Sequence, residues 1–385
     1  MIPYGKQDIN SDDIDAVIDV LKSDFITQGP MVPAFEDAVK THTGVKYALA
    51  ANSATSALHI ACLALGVGQG DIVWTSPISF VASANCALYC GADVDFVDID
   101  EKTYNMCPIK LEEKLLSAQK AGKLPKVVIP VHLSGQSCDM EKIALLAKTY
   151  GFTIIEDASH AIGGKYKKQA IGNCRYSQIT IFSFHPVKII TTAEGGMALT
   201  NDAALAEKMD LLRSHGITRD PRLINEASHG SWYYQQIELG FNYRMTDIQA
   251  ALGLSQIKRL DQFVEKRQQL AQRYDEILTT LPVITPYQTH DSSSARHLYI
   301  IKIDNQKCSN SHRQIFEKMR DLEIGVNLHY IPIHMQPYYQ KLGHKKGDFP
   351  IAEDYYAHAI SIPLYTQLSH HQQDQVIAAL KQAIN

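Results

Sequence analysis

Between residues 45 and 200, short apolar runs alternate with helical patterns, and this alternation narrows the possible folds more than any other feature of the chain. The runs are YALAA (47–51), DIVWTS (71–76), VDFVDI (94–99), KVVIPV (126–131), FTIIED (152–157) and ITIFSF (179–184). They are rich in Val and Ile without polar alternation, as strands buried on both faces are. Between them lie stretches such as SALHIACLAL (56–65) and MEKIALLAKTY (140–150), which repeat at helical spacing. Strand–helix–strand repetition predicts right-handed crossovers and a largely parallel α/β sheet.

The flanks predict further elements. Ser11 ahead of Asp12 and Asp13 predicts a helix start, with acids at the positive end of the dipole. That helix should end near Ser23, leaving FITQGP (25–30) as a loop. Residues 246–278 form one amphipathic pattern and predict a long helix leaving the first unit, followed by a Pro- and Ser-rich linker at 281–294. HLYIIKI (297–303) and SHRQIFEKMRDL (311–322) then predict a strand and a helix of a smaller α+β unit. A large α/β domain over 1–250 and a smaller α+β domain over 251–385 are expected.

A chain of 385 residues buries a core of that size without disulfide or metal staples. Its net charge of -4 provides no basic field for nucleic acid. The start, MIPYGKQDIN, lacks the charged and apolar regions of a signal peptide, and no apolar run is long enough to span a membrane. Seven cysteines, odd in number and scattered, suit reduced thiols in a cytoplasm. Cys86 and Cys90 lack a second ligand pair and read as core packing, not a zinc site.

Three segments carry chemistry. NSATSALHI (52–60) passes from a strand into a helix, where free amides and the dipole suit a phosphate, with Ala54 small and Thr55 adding a hydroxyl. The same residues would also serve as a simple cap by Ser53. Asp157 closes a strand beneath apolar cover, where a carboxylate needs a cation such as a protonated pyridine nitrogen; it could equally cap a helix or pair with a lysine. His160 reads as a contact to the same group or as a satisfied core histidine. In ITIFSFHPVKIITTAEGGM (179–197) a strand delivers Ser183 and then Lys188 into a loop ending at Gly195-Gly196. A desolvated lysine amine there can condense with an aldehyde, although a single lysine is far more often a surface residue.

Taken together, NSATSALH (52–59), SPISFVASANCAL (76–88), EDASHAIGG (156–164), FSFHPVKIITTAEGG (182–196) and GFNYRMTDIQAALGLSQ (240–256) resemble the sugar aminotransferases of the DegT/DnrJ/EryC1/StrS family. The resemblance runs from about residue 2 to about residue 380. It implies the aspartate-aminotransferase (type I) fold, with a mostly parallel seven-stranded sheet and a smaller C-terminal domain. It also implies pyridoxal 5'-phosphate (PLP) as cofactor, with pyridoxamine phosphate as its aminated form. Lys188 would join the cofactor and later shuttle a proton, and Asp157 would bind the pyridine nitrogen. Phe80 would stack on the ring, and Ala54, Thr55 and Ser183 would hold the phosphate. Asn242 matches the asparagine that reaches the phosphate of a neighbouring subunit, implying a homodimer with shared sites. The family's usual T-G-E-G-G reads here Thr192-Ala193-Glu194-Gly195-Gly196, which constrains the backbone at Ala193. Relatives that deoxygenate sugars carry histidine where this chain has Lys188, so the lysine argues for amino transfer. A non-catalytic binding protein would have lost Lys188, Asp157 or the phosphate contacts.

Within the family, IPYGKQDI (2–9), FITQG (25–29), TSPISFVASAN (75–85), SWYYQQIELGFNYRM (231–245) and NLHYIPIHMQPYY (327–339) are similar to members of the pseudaminic acid pathway. This implies UDP-2-acetamido-2,6-dideoxy-β-L-arabino-hexos-4-ulose as substrate and L-glutamate, released as 2-oxoglutarate, as amino donor. Tyr4, Asp24, Phe25, Ile26, Thr27, Leu328, His329, Tyr330 and Ile331 then match the segments lining the sugar nucleotide. Tyr4 and Tyr330 combine an apolar face with a hydroxyl, as a sugar ring requires. The basic loop GHKKGD (343–348) either meets the diphosphate or is solvated.

Overall fold

The computed structural model describes residues 1–385. The six predicted runs form strands β1 (Tyr47–Ala51), β2 (Ile72–Thr75), β3 (Asp93–Phe96), β4 (Val127–Ile129), β5 (Thr153–Asp157) and β6 (Ile179–Ser183). A seventh, β7 (Gly196–Thr200), completes a sheet ordered β1-β7-β6-β5-β4-β2-β3. Gly196, expected in a loop, is the first residue of this strand. All five residues of β6 and of β7 are buried, which accounts for their largely apolar character. Neighbours from β3 to β6 pair in parallel, while β7 is antiparallel to both β6 and β1. With one reversed strand, the carboxyl ends of the other six share one edge, where ligands bind in sheets of this kind.

Helices α1 (Ser11–Leu21), α2 (Met31–Thr43), α3 (Ala54–Ala64), α4 (Ala82–Tyr89), α5 (Pro108–Ala121), α6 (Met140–Tyr150) and α7 (Ala203–Arg213) accompany the sheet. Local signals set their ends. Asp139 caps α6 by accepting the Lys142 amide, and Gly151 closes it in the left-handed conformation. For α1 the capping residue is Asn10, one position before the expected Ser11: Asn10 and Asp13 exchange side-chain and backbone hydrogen bonds in a capping box. The pattern at 246–278 is not one helix but two, α8 (Asp247–Ile257) and α9 (Leu260–Leu278). No Gly or Pro marks the break. It falls where Arg259 turns to pair with Asp8 and with the buried Asp13.

The apolar face of α9 changes partners along its length. Leu260, Phe263 and Val264 join the large unit, whereas Leu270, Tyr274 and Leu278 enter a second core. The change of core therefore lies inside α9, and a cut after residue 250 would divide α8. Strands β8 (Val283–Ile284), β9 (Tyr299–Ile303) and β10 (Ala359–Ile362) form an antiparallel sheet in the second unit. Helices α10 (His312–Asp321), α11 (Pro337–Lys341), α12 (Pro350–His358) and α13 (His370–Ile384) complete it. The expected linker at 281–294 is partly structured: it contains β8, and Ser292–Ser293 pairs with Lys165–Tyr166 of the large unit. The chain start is pinned here too. Ile2 bridges to Ile324, and the Leu364 amide donates to Tyr4 O at 3.0 Å, which fixes Tyr4 beside the sheet edge.

Candidate active site

The carboxyl edge of the sheet opens into a cavity of about 570 Å³ between the two units. The large unit contributes Ala54, Thr55, Phe80, Asp157, His160, Ser183 and Lys188 to its wall, and the other side is Tyr4, Leu328, His329 and Tyr330. A cleft of about 880 Å³ near Tyr104 and Tyr287 is larger, but its Lys302 is already paired with Asp354 at 2.8 Å. The chemistry therefore gathers in the smaller cavity.

One wall is the start of α3. Ser53 caps it, accepting the Ser56 amide at 3.0 Å. Capping uses the Ser56 donor, while the amides of Ala54 and Thr55, at the first two helical positions, have no acceptor within the helix. The two sequence readings of this segment are thus compatible. β7 passes hard against it: a Cβ on Gly196 would stand 2.4 Å from the Ala54 nitrogen, so only glycine fits. Ser183 closes the same corner from the end of β6. In the loop before β7, Ala193 has φ 64°, a conformation that favours glycine. Ala193→Gly should relieve that strain and raise stability by about 0.5–1 kcal/mol, measurable as a higher urea midpoint.

Lys188 sits in the turn after β6, its amide donating to His185 O at 2.8 Å. Its side chain is half-buried in the cavity wall, and desolvation there pulls the amine down to about 8 against the opposing pull of Asp157. A minority of the amine is therefore neutral near physiological pH, far more than for an ordinary lysine, and it is this neutral form that condenses with an aldehyde. The sign follows directly: below about 8 the amine is protonated and unreactive, above it free. The rate at which the apoprotein takes up PLP should rise with pH and level off above that midpoint; a half-rise near 10.5 would contradict it.

Asp157, at the end of β5, is 4% exposed and has no ion-pair partner in the chain. Its Oδ1 accepts from the Ser159 amide at 3.1 Å and the Ser159 hydroxyl at 2.6 Å, and its Oδ2 accepts from the Ser83 hydroxyl at 2.6 Å. Such a carboxylate, buried without a direct ion pair and facing a cavity, suits a ligand that brings a cation. Phe80, 59% exposed, turns a free ring into the same space.

His160 has a defined tautomer. The Ser134 amide donates to its Nδ1 at 3.3 Å, so the ring proton is on Nε2, which donates to Tyr330 Oη at 3.1 Å. Burial, the Lys188 amine and His329 hold its pKa well below the ordinary value, and the ring is neutral. Tyr330 accepts this bond, so its own proton remains free to donate. His329 is likewise neutral, pulled down to about 3 by burial and by Lys188, and it contacts Ser361 Oγ at 2.8 Å.

Several expected residues stay outside the cavity. Asp24 and Phe25 line a separate groove against α1 and α8. Phe25 and Ile26 are exposed, and Thr27 bridges to Thr246. Ile331 is 46% exposed and does not line the cavity. Asn242 bridges to Ser214, and its carbonyl accepts from the Asn52 side chain at 3.3 Å, behind the start of α3. GHKKGD is a surface turn whose Gly347 amide donates to Glu353 at 2.6 Å, away from the cavity. Cys86 is buried and Cys90 half-buried, where α4 packs on α3. Sequence reading missed Ser83, Ser159, His297 and Asn327. Ser83 and Ser159 lie within recognised motifs and could have been singled out; His297 and Asn327 carry no local signal.

Orphan amides and a hydroxyl for a phosphate, a desolvated amine, an unpaired carboxylate and a free aromatic face together fit PLP. The comparisons with known proteins agree. The profile of the DegT/DnrJ/EryC1/StrS aminotransferase family matches residues 7–381. The chain is 40% identical over its whole length to the spore coat polysaccharide biosynthesis protein SpsC of Bacillus subtilis, covering 97% of that protein. It is 39% identical to the UDP-4-amino-4,6-dideoxy-N-acetyl-β-L-altrosamine transaminase of Campylobacter jejuni serotype O:2, covering 96% of this chain and 94% of that one. Its structure superposes with a TM-score of 0.91 and 32% identity on Helicobacter pylori PseC, an aminotransferase of pseudaminic acid biosynthesis, covering 100% and 99% of the two chains.

Proposed function

The chain belongs to the DegT/DnrJ/EryC1/StrS aminotransferase family and is a PLP-dependent sugar aminotransferase, and we propose that it aminates the 4-keto carbon of UDP-2-acetamido-2,6-dideoxy-β-L-arabino-hexos-4-ulose with L-glutamate as donor. The likeness to the Campylobacter transaminase along nearly the whole chain carries this choice of sugar. When bound, PLP supplies an aldehyde that joins an amine and a ring that takes up the electron pair released when a proton leaves the amino-bearing carbon. Lys188 Nζ anchors the cofactor, then accepts that proton and returns it. Asp157 holds the ring nitrogen in its protonated state, Phe80 covers the ring face, and the amides of Ala54 and Thr55 with the Ser183 hydroxyl take the phosphate. His160 presents its Nε2 proton and keeps Tyr330 oriented as a donor toward substrate. Tyr4, Leu328 and His329 line the opposite wall and, in this reading, narrow the space around the sugar.

We take the working unit to be a cytoplasmic homodimer in which Asn242 completes the neighbour's phosphate site. Trp232 is 71% and Leu239 77% exposed, close in sequence to Asn242, and apolar surface of this kind favours a protein contact. Asp24 to Thr27 and Ile331 then reach the nucleotide across or at the rim of that contact. The 34% likeness to the UDP-4-amino-4-deoxy-L-arabinose--oxoglutarate aminotransferase of Shewanella sediminis supports one second reading, amination of another nucleotide-linked keto-sugar.

The test mixes protein charged with pyridoxamine phosphate with a panel of keto-sugars: the L-arabino and D-xylo UDP-4-keto epimers and dTDP-4-keto-6-deoxyglucose. The return of the lysine-linked cofactor's absorbance is followed. Rapid return with the L-arabino compound alone supports the proposal. Rapid return with another sugar transfers the activity to that substrate, and no return with any member rejects the 4-keto-sugar reading.

A further inference from the structure

The carboxylate of Asp157 is braced from two sides, and only one brace comes from its own loop. Ser159, two residues on, supplies two donors to Oδ1. An oxygen of a carboxylate has two lone pairs in its plane, so Oδ1 is fully used. The other brace comes from α4. Ser83 Oγ donates to Oδ2 at 2.6 Å, and Ser79 Oγ lies 2.6 Å from Ser83 Oγ. Because the Ser83 proton is directed at the carboxylate, Ser79 must donate to Ser83. The two serines form a chain of hydrogen bonds pointing one way, and donors aligned in this manner reinforce one another. Both are buried, at 3% and 0% exposure. Phe80 lies between them in sequence, so one turn of chain carries both the aromatic ring on the cavity and the brace on its carboxylate.

We propose that Ser83, backed by Ser79, is a positioning residue that leaves Asp157 Oδ2 with a single free acceptor site and holds that site for the nitrogen of the cofactor ring. The inference rests on the reading of Asp157 given above. It assigns the ring nitrogen to Oδ2 and not Oδ1, and it makes α4 a coupling element: displacement of Phe80 moves Ser83 and with it the carboxylate.

The test uses full-length protein and three readouts: the dissociation constant of PLP from the apoprotein, the pH midpoint of the bound cofactor's absorbance, and kcat against KM for the amino donor. Ser83→Ala should weaken PLP binding about tenfold, as expected for losing one hydrogen bond to a charged group. It should also shift the absorbance midpoint and lower kcat about tenfold with KM little changed. Ser83→Thr, which keeps the hydroxyl, should restore the midpoint, and Ser79→Ala should shift it in the same direction by less. A Ser83→Ala protein with the parent's midpoint and PLP affinity would overturn the proposal. If Ser83→Ala does not fold, an unshifted Ser79→Ala protein would do the same. Asp157→Asn separates the two levels: if it shifts the midpoint while the serine variants do not, only the brace fails. If it too leaves the midpoint unchanged, the role given to Asp157 fails.

Discussion

Replacing Lys188 with alanine is expected to abolish turnover, lowering kcat by about four orders of magnitude, the upper range for loss of a positioned acid–base group. No other amine lines the cavity, so nothing nearby can take over the anchoring of the cofactor. PLP should still bind, because Ala54, Thr55, Ser183 and Asp157 remain, but without the absorbance of the lysine-linked form. The apoprotein should respond in the opposite direction to activity. Burial lowers the amine from its ordinary 10.5 to about 8 in the folded chain. Between these values the unfolded chain binds the extra proton, so stability falls as pH drops from about 10.5 through 8 and stays reduced below. Removing the amine removes that deficit. Apo Lys188→Ala, or Lys188→Met to retain the volume, should therefore melt higher than the parent at pH 7 and converge with it above about pH 10.5. Full activity in Lys188→Ala would contradict the assignment of the anchor, and a lower melting temperature of apo Lys188→Met at pH 7 would contradict the picture of a costly desolvated charge.

Asp157→Asn is the second large effect, with an expected fall in kcat of about two to three orders of magnitude, comparable to losing a preorganised electrostatic partner of the reacting system. The amide is isosteric but fails twice. It carries no charge to keep a proton on the ring nitrogen, so the electron pair released at the reacting carbon is less well accommodated. It also turns one acceptor into a donor, although both carboxylate oxygens already receive hydroxyl donors, from Ser159 and from Ser83. One serine must lose its partner or rotate away, at a cost of about 1–3 kcal/mol for a buried unsatisfied group. Because the Ser159 amide and hydroxyl both donate to Oδ1, the new NH2 faces Ser83; Asp157→Asn should therefore also lower the melting temperature, whereas Ser83→Ala paired with it should recover part of that loss. An unchanged kcat would exclude Asp157 as the partner of the ring nitrogen.

Much of this molecule could be read from its chain. Buried parallel strands must be apolar on both faces, so β2, β4, β5 and β6 stand out as runs of Val and Ile, and their carboxyl ends locate the site before any contact is known. Asp157 and Ser183 are the last residues of β5 and β6. Capping signals are equally local, and α6 spans the predicted residues 140–150. What the sequence determined is thus what depends on neighbours along the chain: strand burial, helix ends, and the residue types able to hold a phosphate, a cation and an aldehyde. The tertiary structure decided the rest, because it depends on side chains far apart in sequence. The break between α8 and α9 is made by Arg259 reaching Asp8 and Asp13, roughly 250 residues away in the chain. The hydroxyl on Asp157 Oδ2 comes from Ser83, 74 positions earlier, and the partner of His160 from Tyr330, 170 positions later. Hydrogen bonds of that kind leave no periodicity behind, since a serine or tyrosine at one place carries no mark of the partner that folding brings to it.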